Sequence, residues 1–546
     1  MDVICNTVSV SEPIEHTLRG GWTAEQHPLP PHALRWLRSR IGLSDRRTPA
    51  DPTHVVARSA LPTDAQAALA TIVGSSNVLV DEESRLGRSG GLSYLDLVRY
   101  RAGGELAVPD AVVLPADPDQ VTAVLAACAE SRIGVVPFGG GTSVVGGVSP
   151  LRGDLVAVVA LDLVRLDRLV SVDPVSRLAV FQAGVRGPDA ERLLAAHGLT
   201  LGHLPQSFER ATIGGFAATR SAGQASAGYG RFEDMVAAVR VATPRGEWRV
   251  GVAPASAAGP DLRALVLGSE GAFGVLTEVT VRVRPVATHH SYQAYVLDGW
   301  ERGAAAVRSL AQHRAMATVT RLSDVDETDV ALALSGGMKT TALRAYLKVR
   351  GVREPCLLIL GWEAESAAAL GRARLATRSV LREHRPVELG KAPAQAWRHG
   401  RFGGPRQRDA LLDNGVCVET LETAAHWSAL TALRDAVRTA LTDALGHPIV
   451  MCHISHAYET GASLYFTVLT KRDADPITQW QRAKTAASTA IRANNGTITH
   501  HHAVGVDHAP YLAGEIGDLG IEVLAAIKDT LDPAGILNPG KLIRRS

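Results

Sequence analysis

The chain is poor in cross-linking residues and in net charge. It has five cysteines, Cys5, Cys128, Cys356, Cys417 and Cys452, far apart and odd in number, with no Cys-x-x-Cys pair. That pattern excludes a disulfide framework and leaves buried thiols in a reducing cytoplasm. Lysine is scarce: Lys339, Lys348, Lys391, Lys471, Lys484, Lys528 and Lys541 are all there are among 57 basic residues. With the abundant alanine, this bias points to a GC-rich bacterial genome. The net charge is only +2, which removes any bulk electrostatic case for nucleic acid or a membrane surface. No apolar run reaches the ~20 residues of a membrane span. Met1 to Asn6 lacks the basic and apolar stretches of a secretory signal, and Ile543-Arg544-Arg545-Ser546 is not a peroxisomal address of the Ser-Lys-Leu kind. The expectation is a cytoplasmic protein without a transmembrane segment and without a nucleic-acid partner.

Length and composition, 546 residues with 46% hydrophobic and 21% charged, fit a globular chain of about two to four domains. Gly20-Gly21, Pro28, Pro30 and Pro31 mark loops, and 61–72 has a short helical look. From Val108 the pattern becomes regular. A strand-like run, Ala111 to Leu114, is followed by Asp117-Pro118, an N-cap and a proline at the first helical position. Val121, Val124, Leu125 and Cys128 then repeat at helical spacing, and Ile133–Val136 is a strand. Further strands are expected at 155–161, 169–172, 178–183, 235–243 and 275–284, with a helix from Asp189 to His197 stopped by Gly198. Beyond 286, strands are expected at 291–297 and 357–361. Helices are expected at 301–313, 365–383 and 424–445, then a strand-rich stretch at 449–469 and a last helix at 521–531. There is no internal repeat and no low-complexity tract.

The strand Ile133–Val136 runs into Pro137-Phe138-Gly139-Gly140-Gly141-Thr142-Ser143. Three glycines clear every Cβ from one side of a loop, so backbone N–H groups can approach an anion, and Thr142 and Ser143 add hydroxyl donors. A dinucleotide pyrophosphate is the natural guest. A Rossmann site is disfavoured because no helix opens here. Three more glycine-and-hydroxyl segments follow: Pro205-Gln206-Ser207-Phe208-Glu209-Arg210-Ala211-Thr212-Ile213-Gly214-Gly215, then Ala218-Thr219-Arg220-Ser221-Ala222-Gly223 leading to Tyr229-Gly230, then Gly268-Ser269-Glu270-Gly271-Ala272-Phe273-Gly274-Val275-Leu276-Thr277.

In order and spacing these four segments resemble the PCMH-type FAD-binding domain of the vanillyl-alcohol oxidase family of flavoproteins. Three more, Arg408-Asp409, Tyr458 to Phe466 and Thr499-His500-His501-His502-Ala503-Val504-Gly505, are similar to its alkyldihydroxyacetonephosphate synthase branch. The resemblance implies an α+β fold: a two-lobed FAD domain plus a cap with an antiparallel sheet and flanking helices. It implies an N-terminal region 1–107, the FAD domain 108–286, the cap 287–498 and a C-terminal segment 499–546 returning to the FAD domain. Pro137, Phe138, Gly139, Gly140, Gly141, Thr142 and Ser143 would hold the pyrophosphate. Gln206, Ser207, Thr212, Gly215, Ala218, Thr219, Arg220, Ser221, Glu270, Gly271, Gly274, Val275 and Leu276 would line the rest of the cofactor. Many relatives attach FAD covalently through a histidine in the loop or a cysteine near the third segment. Here Thr142 and a cysteine-free segment imply noncovalent FAD. Arg88-Ser89-Gly90-Gly91-Leu92-Ser93-Tyr94 imitates such a loop but precedes the α/β region.

The same resemblance implies a redox-neutral exchange of an acyl for an alkyl group through a flavin N5 adduct, with a lipid-like or phosphorylated small molecule as substrate. It also implies a homodimer, peripheral at a membrane if the substrate is a lipid. The alternative is an oxidase or dehydrogenase of a hydroxy acid or specialised metabolite, with hydride transfer to N5. Tyr458 would be the base, Arg408 the anion anchor, and His500, His501 and His502 the proton-transfer support. A tyrosine base, with an ordinary pKa near ~10, needs a cation beside it, and Arg408 or a protonated histidine would serve. Against these roles stand a packed Tyr458, an Arg408 paired with Asp409 or Asp413, a surface histidine patch, and a metal site of His500, His502 and His508. In an extended segment His500 and His502 share a face and His501 opposes them. Two positions depart from the synthase pattern: Arg406 in the stretch Pro405-Arg406-Gln407, and Val506 where a basic residue is usual. Both bear on the substrate rather than on the flavin.

Overall fold

The computed structural model describes residues 21–22, 28–44 and 52–543. Cys5 and Gly20 lie outside the described residues. The expected loop around Pro31 is instead the start of a helix, Pro31–Ile41. Proline at the first helical position costs no hydrogen bond, so it opens this helix instead of breaking it.

The first lobe forms as its apolar pattern demands. Asp117 accepts from Gln120 N and caps helix Pro118–Glu130, whose Val121, Val124, Leu125 and Cys128 are buried. Strands Val78–Leu79, Ala111–Val113, Ala157–Asp162 and Ile133–Phe138 form one sheet in that order, the last three parallel. Parallel strands are buried on both faces, which explains their unbroken apolar runs. The free edge of Ile133–Phe138 is covered by the C-terminal tail, since Val135 N donates to Ile536 O at 2.8 Å and Asn538 N to Val135 O at 2.8 Å.

The second lobe is an antiparallel sheet ordered Gly246–Val250, Val236–Thr243, Val275–Arg282, Leu178–Gln182, Leu169–Asp173. Helix Pro118–Glu130 packs between the two sheets, and one apolar core joins them. The expected helix near Asp189 is Gly187–Ala195.

The remaining half is a seven-stranded antiparallel sheet. Its order is Val387–Gly390, His289–Asp298, Pro355–Ala364, Val319–Ser323, Ile449–Ile454, Gly461–Lys471, Val416–His426. Helices Trp300–Gln312, Ala367–Leu381, Leu430–Leu445 and Pro476–Ala493 contribute to its core. The expected helix over 424–445 begins only at Leu430. Residues Val416–His426 pair with Gly461–Lys471 at eleven successive positions, and that ladder overrides the helical preference of Ala424 and Ala425. The last helix is longer than expected, Ala509–Leu531, and is broken at Gly517, whose φ is +77°. Glycine adopts that angle without Cβ strain, and the break interrupts the helical period.

Candidate active site

The four glycine segments meet. A Cβ on Gly139 would lie 2.5 Å from Thr212 Oγ1, one on Gly140 2.2 Å from Arg210 O, and one on Gly271 2.7 Å from the Pro137 ring. Thr212 caps helix Ile213–Ala218 through Gly215 N. The fourth segment is tied to the third by Glu270 N to Ala218 O at 3.0 Å and Gly268 N to Ala217 O at 3.1 Å. Arg220 and Glu270 both hold positive φ, +50° and +53°, strain of the kind kept at ligand-binding turns. Among the described residues, the N–H groups of Gly140, Gly141 and Thr142 find no acceptor in the chain. Orphan donors in a cradle without side chains fit an anionic pyrophosphate, so these residues suit FAD. Gln206 is exposed and Ser207 partly so. Ser221 Oγ lies 3.1 Å from His203 Nε2, and Thr219 Oγ1 donates to Gly215 O. Phe138, Val275 and Leu276 bury their side chains in the protein core. The Glu270 carboxylate accepts from Val504 N and Gly505 N at 2.9–3.0 Å, so it serves the C-terminal segment.

A second centre is organised by Glu422, which sits on strand Val416–His426 with its side chain 0% exposed. Its carboxylate accepts from His500 N at 2.6 Å, His501 N at 3.2 Å, His502 N at 3.0 Å and Thr499 Oγ1 at 2.6 Å. Burial works to raise its carboxyl, but the neighbouring His501, His502 and His500 and the Thr499 hydroxyl bring it well below the usual carboxylate range. The histidine segment is therefore wrapped around one carboxylate and is not extended, and Ala503 turns it at φ +73°. The three imidazoles cluster, with adjacent ring centroids 5.2 and 4.9 Å apart, where the alternation expected of a strand would set His501 against the other two. His500 Nδ1 is 2.9 Å from His501 Nδ1, and His500 Nε2 is 2.7 Å from Tyr458 Oη. His456 stacks on His500 with ring centroids 5.2 Å apart, and Tyr465 stacks on His501 at 5.8 Å.

Burial pushes His456 and His500 well below the ordinary histidine value, lowers His501, and brings His502 down to about 3. The imidazoles are neutral at pH 7. Tyr458 is 39% exposed, and the desolvation of its hydroxyl pushes it up to about 12. Among the described residues, the imidazoles near enough to share an ion are His456, His500 and His501; His508 instead turns its Nδ1 to Ala503 O at 2.8 Å.

Arg408, on helix Gly404–Asp413, donates from Nη1 to Leu92 O at 2.5 Å, while its Nε is buried without a partner among the described residues. It does not take the salt bridge weighed above: Asp413 pairs with Arg101 at 2.7 Å, and Asp409 accepts from Trp22 N. Arg406 grips Glu209 at 2.9 Å, so this departure from the synthase pattern is an internal tie. Val506 N donates to Val145 O at 2.9 Å, beside Gly146. The 88–94 segment lies against the glycine turn. Leu92 N donates to Ser143 O at 2.7 Å, a Cβ on Gly91 would strike the same oxygen, and Tyr94 N donates to Glu419. It thus joins the turn to Arg408.

Two participants escaped the sequence reading, Glu422 and Arg231; His456, which reads from the sequence as a packed strand residue, lies just past strand Ile449–Ile454 and stacks on His500. Arg231 directly follows Tyr229-Gly230, and Nη2 donates to His500 O at 2.8 Å. Its place in a recognised segment was a usable signal. Glu422 carried none.

Two family models match, "FAD binding domain" over residues 109–251 and "FAD linked oxidases, C-terminal domain" over 287–542. The alkyldihydroxyacetonephosphate synthase of Dictyostelium discoideum is 31% identical over 477 residues, 85% of this chain and 78% of that protein. That of Trypanosoma brucei brucei is 30% identical over 491 residues, 87% of this chain and 80% of that protein. A solved structure of an alkyldihydroxyacetonephosphate synthase matches with TM-score 0.81 at 26% identity, covering 96% of this chain and 99% of that one. The chain belongs to the alkyldihydroxyacetonephosphate synthase family of FAD-linked flavoproteins and is an FAD-dependent enzyme.

Proposed function

We propose that this enzyme exchanges the acyl group of an acyl-dihydroxyacetone-phosphate-like ester for a fatty alcohol without net redox change, using noncovalent FAD. The observation that carries the reading is the 2.7 Å hydrogen bond between Tyr458 Oη and His500 Nε2, among neutral imidazoles. It pairs a base with a proton outlet. The same reading makes the protein cytoplasmic and homodimeric, touching a membrane only through a lipid substrate. Thr142 in the glycine turn supports noncovalent attachment, because it offers no imidazole to the ring.

The chain's own residues divide the work. The N–H groups of Gly140, Gly141 and Thr142 bind pyrophosphate oxygens. Arg408 meets the substrate's phosphate or carboxylate with its unpaired Nε, a charge-assisted contact. Tyr458, as the phenolate held by its hydrogen bond with His500, takes the proton from the carbon beside the ketone. The bond from that carbon to the acyl oxygen breaks as carboxylate departs. The alcohol oxygen bonds the same carbon, its hydroxyl proton leaves through the His500–His501 contact, and Tyr458 returns its proton to that carbon. Bound FAD supplies a ring that takes up electron density from the deprotonated carbon and returns it.

The test is anaerobic mixing of the yellow protein with ester and fatty alcohol, following the flavin spectrum and products, with acid precipitation to release the flavin. Alcohol-for-acid exchange with oxidised flavin after turnover is expected, with a colourless precipitate. Lasting bleaching with an oxidised product makes the enzyme an oxidase or dehydrogenase instead. Tyr458→Phe is expected to lose about 10²–10⁴ in kcat while keeping its FAD, and normal turnover in that variant removes Tyr458 as the base.

A further inference from the structure

A tyrosine pushed up to about 12 holds very little phenolate at neutral pH, and neither expected cation corrects it. The imidazole on its hydroxyl, His500, is held neutral by burial. Arg408 is turned to Leu92 O and acts on Glu419 and Tyr465. Among the described residues the charges that face Tyr458 are Arg231, Asp234 and Glu233, and of these Arg231, by its charge, favours phenolate.

Arg231 stands just ahead of the short helix Phe232–Met235, with its side chain 18% exposed. Nη2 donates to His500 O at 2.8 Å and to Arg220 O at 3.0 Å, and Nη1 lies 3.2 Å from Glu233 Oε1. Nε is buried with no acceptor among the described residues. Glu233 is also paired with Arg220 at 2.8 Å, so Arg231 is not spent on neutralising it alone. The backbone of Tyr458 is fixed by other means: Tyr458 N donates to Gly461 O at 2.8 Å and Trp427 Nε1 to Tyr458 O at 3.0 Å. A change at Arg231 thus acts on the hydroxyl and on His500, and leaves the Tyr458 main chain in place.

We infer that Arg231 is the positioning residue of this centre: it sets His500 against Tyr458 through the His500 carbonyl and stabilises the phenolate with its guanidinium. The inference rests on the proposed role of Tyr458 and assigns the supporting charge to Arg231, away from Arg408 and the histidines. A planar fork suits the task, since one face of the group bonds two carbonyls while the charge stays near the phenol.

The test is an alkaline ultraviolet difference titration of the FAD-loaded protein, wild type minus Tyr458→Phe, which reads the Tyr458 hydroxyl without turnover. Arg231→Met, measured against its own Tyr458→Phe double variant, is expected to move the tyrosinate transition to higher pH. It is also expected to lower kcat at neutral pH by about tenfold per unit of that shift, with FAD content unchanged. Arg231→Lys keeps a cation and is expected to hold the transition close to wild type while losing part of kcat through a loosened His500. A Met variant with the wild-type titration and pH profile overturns the inference. So does a Lys variant displaced as far as Met. Normal turnover in Tyr458→Phe alone strikes the functional reading, and the titration still reports whether Arg231 governs the hydroxyl.

Discussion

The glycine turn and the Tyr458–His500 centre both meet the C-terminal segment and are built by opposite means. The turn is made of backbone. Its shape follows from Cβ atoms that are absent, and its free N–H groups belong to consecutive residues, Gly140 to Thr142. The second centre is made of side chains. It draws Tyr458, the three histidines and Arg231 from three distant stretches, and it depends on one carboxylate that satisfies four donors at once. A backbone site fails by steric intrusion, whereas a side-chain site fails by loss of its organiser. Substitutions should therefore separate cofactor binding from chemistry.

The largest effect is expected at the turn. Gly140→Ala places a methyl 2.2 Å from Arg210 O, a backbone atom that cannot swing aside. The turn must open, and the variant is expected to purify colourless, without FAD and without activity. A yellow, active Gly140→Ala protein would mean that the turn is not the pyrophosphate seat. Glu422→Gln comes next. The amide keeps the size and one acceptor but loses the charge, and an NH₂ then faces backbone N–H donors. Leaving charged-group hydrogen bonds unmade costs about 1–3 kcal/mol each, so a loss of roughly 3 kcal/mol in stability and most of the turnover is expected, with FAD retained. Chemical denaturation and flavin absorbance measure the two separately. A colourless Glu422→Gln protein would show that the two centres are not separable.

The turn was legible because its evidence is contiguous. Gly139 to Ser143 announce a loop without Cβ atoms, and three similar segments in order supplied the rest. Most strands and helices were legible for the same local reason, as with Asp117-Pro118 ahead of a helical repeat. Failures came where tertiary contacts decide. Residues 424–426 pair with Gly461 to Ser463 and become strand, and the histidines fold around Glu422 where isolated alternation would spread them. Glu422 itself reads as any strand residue until its donors are known. Arg231 sat at the end of a segment already singled out, yet its reach to His500 spans 269 positions of chain, and no local pattern carries that. The 88–94 run was set apart by its position, although Gly91 and Leu92 rest on Ser143.

The smallest effect sharpens the join between the two regions. Glu270 belongs to the fourth glycine segment but binds Val504 and Gly505, so it fastens the histidine segment to the turn. Burial raises its carboxyl to about 7, against the pull of those two N–H groups and of Lys541. A carboxyl raised on folding binds more protons in the folded state. Its contribution is therefore whole below the ordinary value near 4.5 and is lost as pH climbs to about 7. Lys541, lowered by burial to about 7, acts with the other sign and above that range: folding is disfavoured where the ammonium must be buried, and this penalty fades as pH rises past 7 toward its ordinary value. Glu270→Gln keeps a carbonyl for the two donors and cannot ionise. The variant is expected to gain stability relative to wild type between pH 4.5 and 7, on the order of 2 kcal/mol, with kcat changed less than in Glu422→Gln. Paired melting curves across that window decide it. A constant difference between the two proteins would mean that the Glu270 carboxyl keeps one charge state throughout, and that the clasp does not respond to pH.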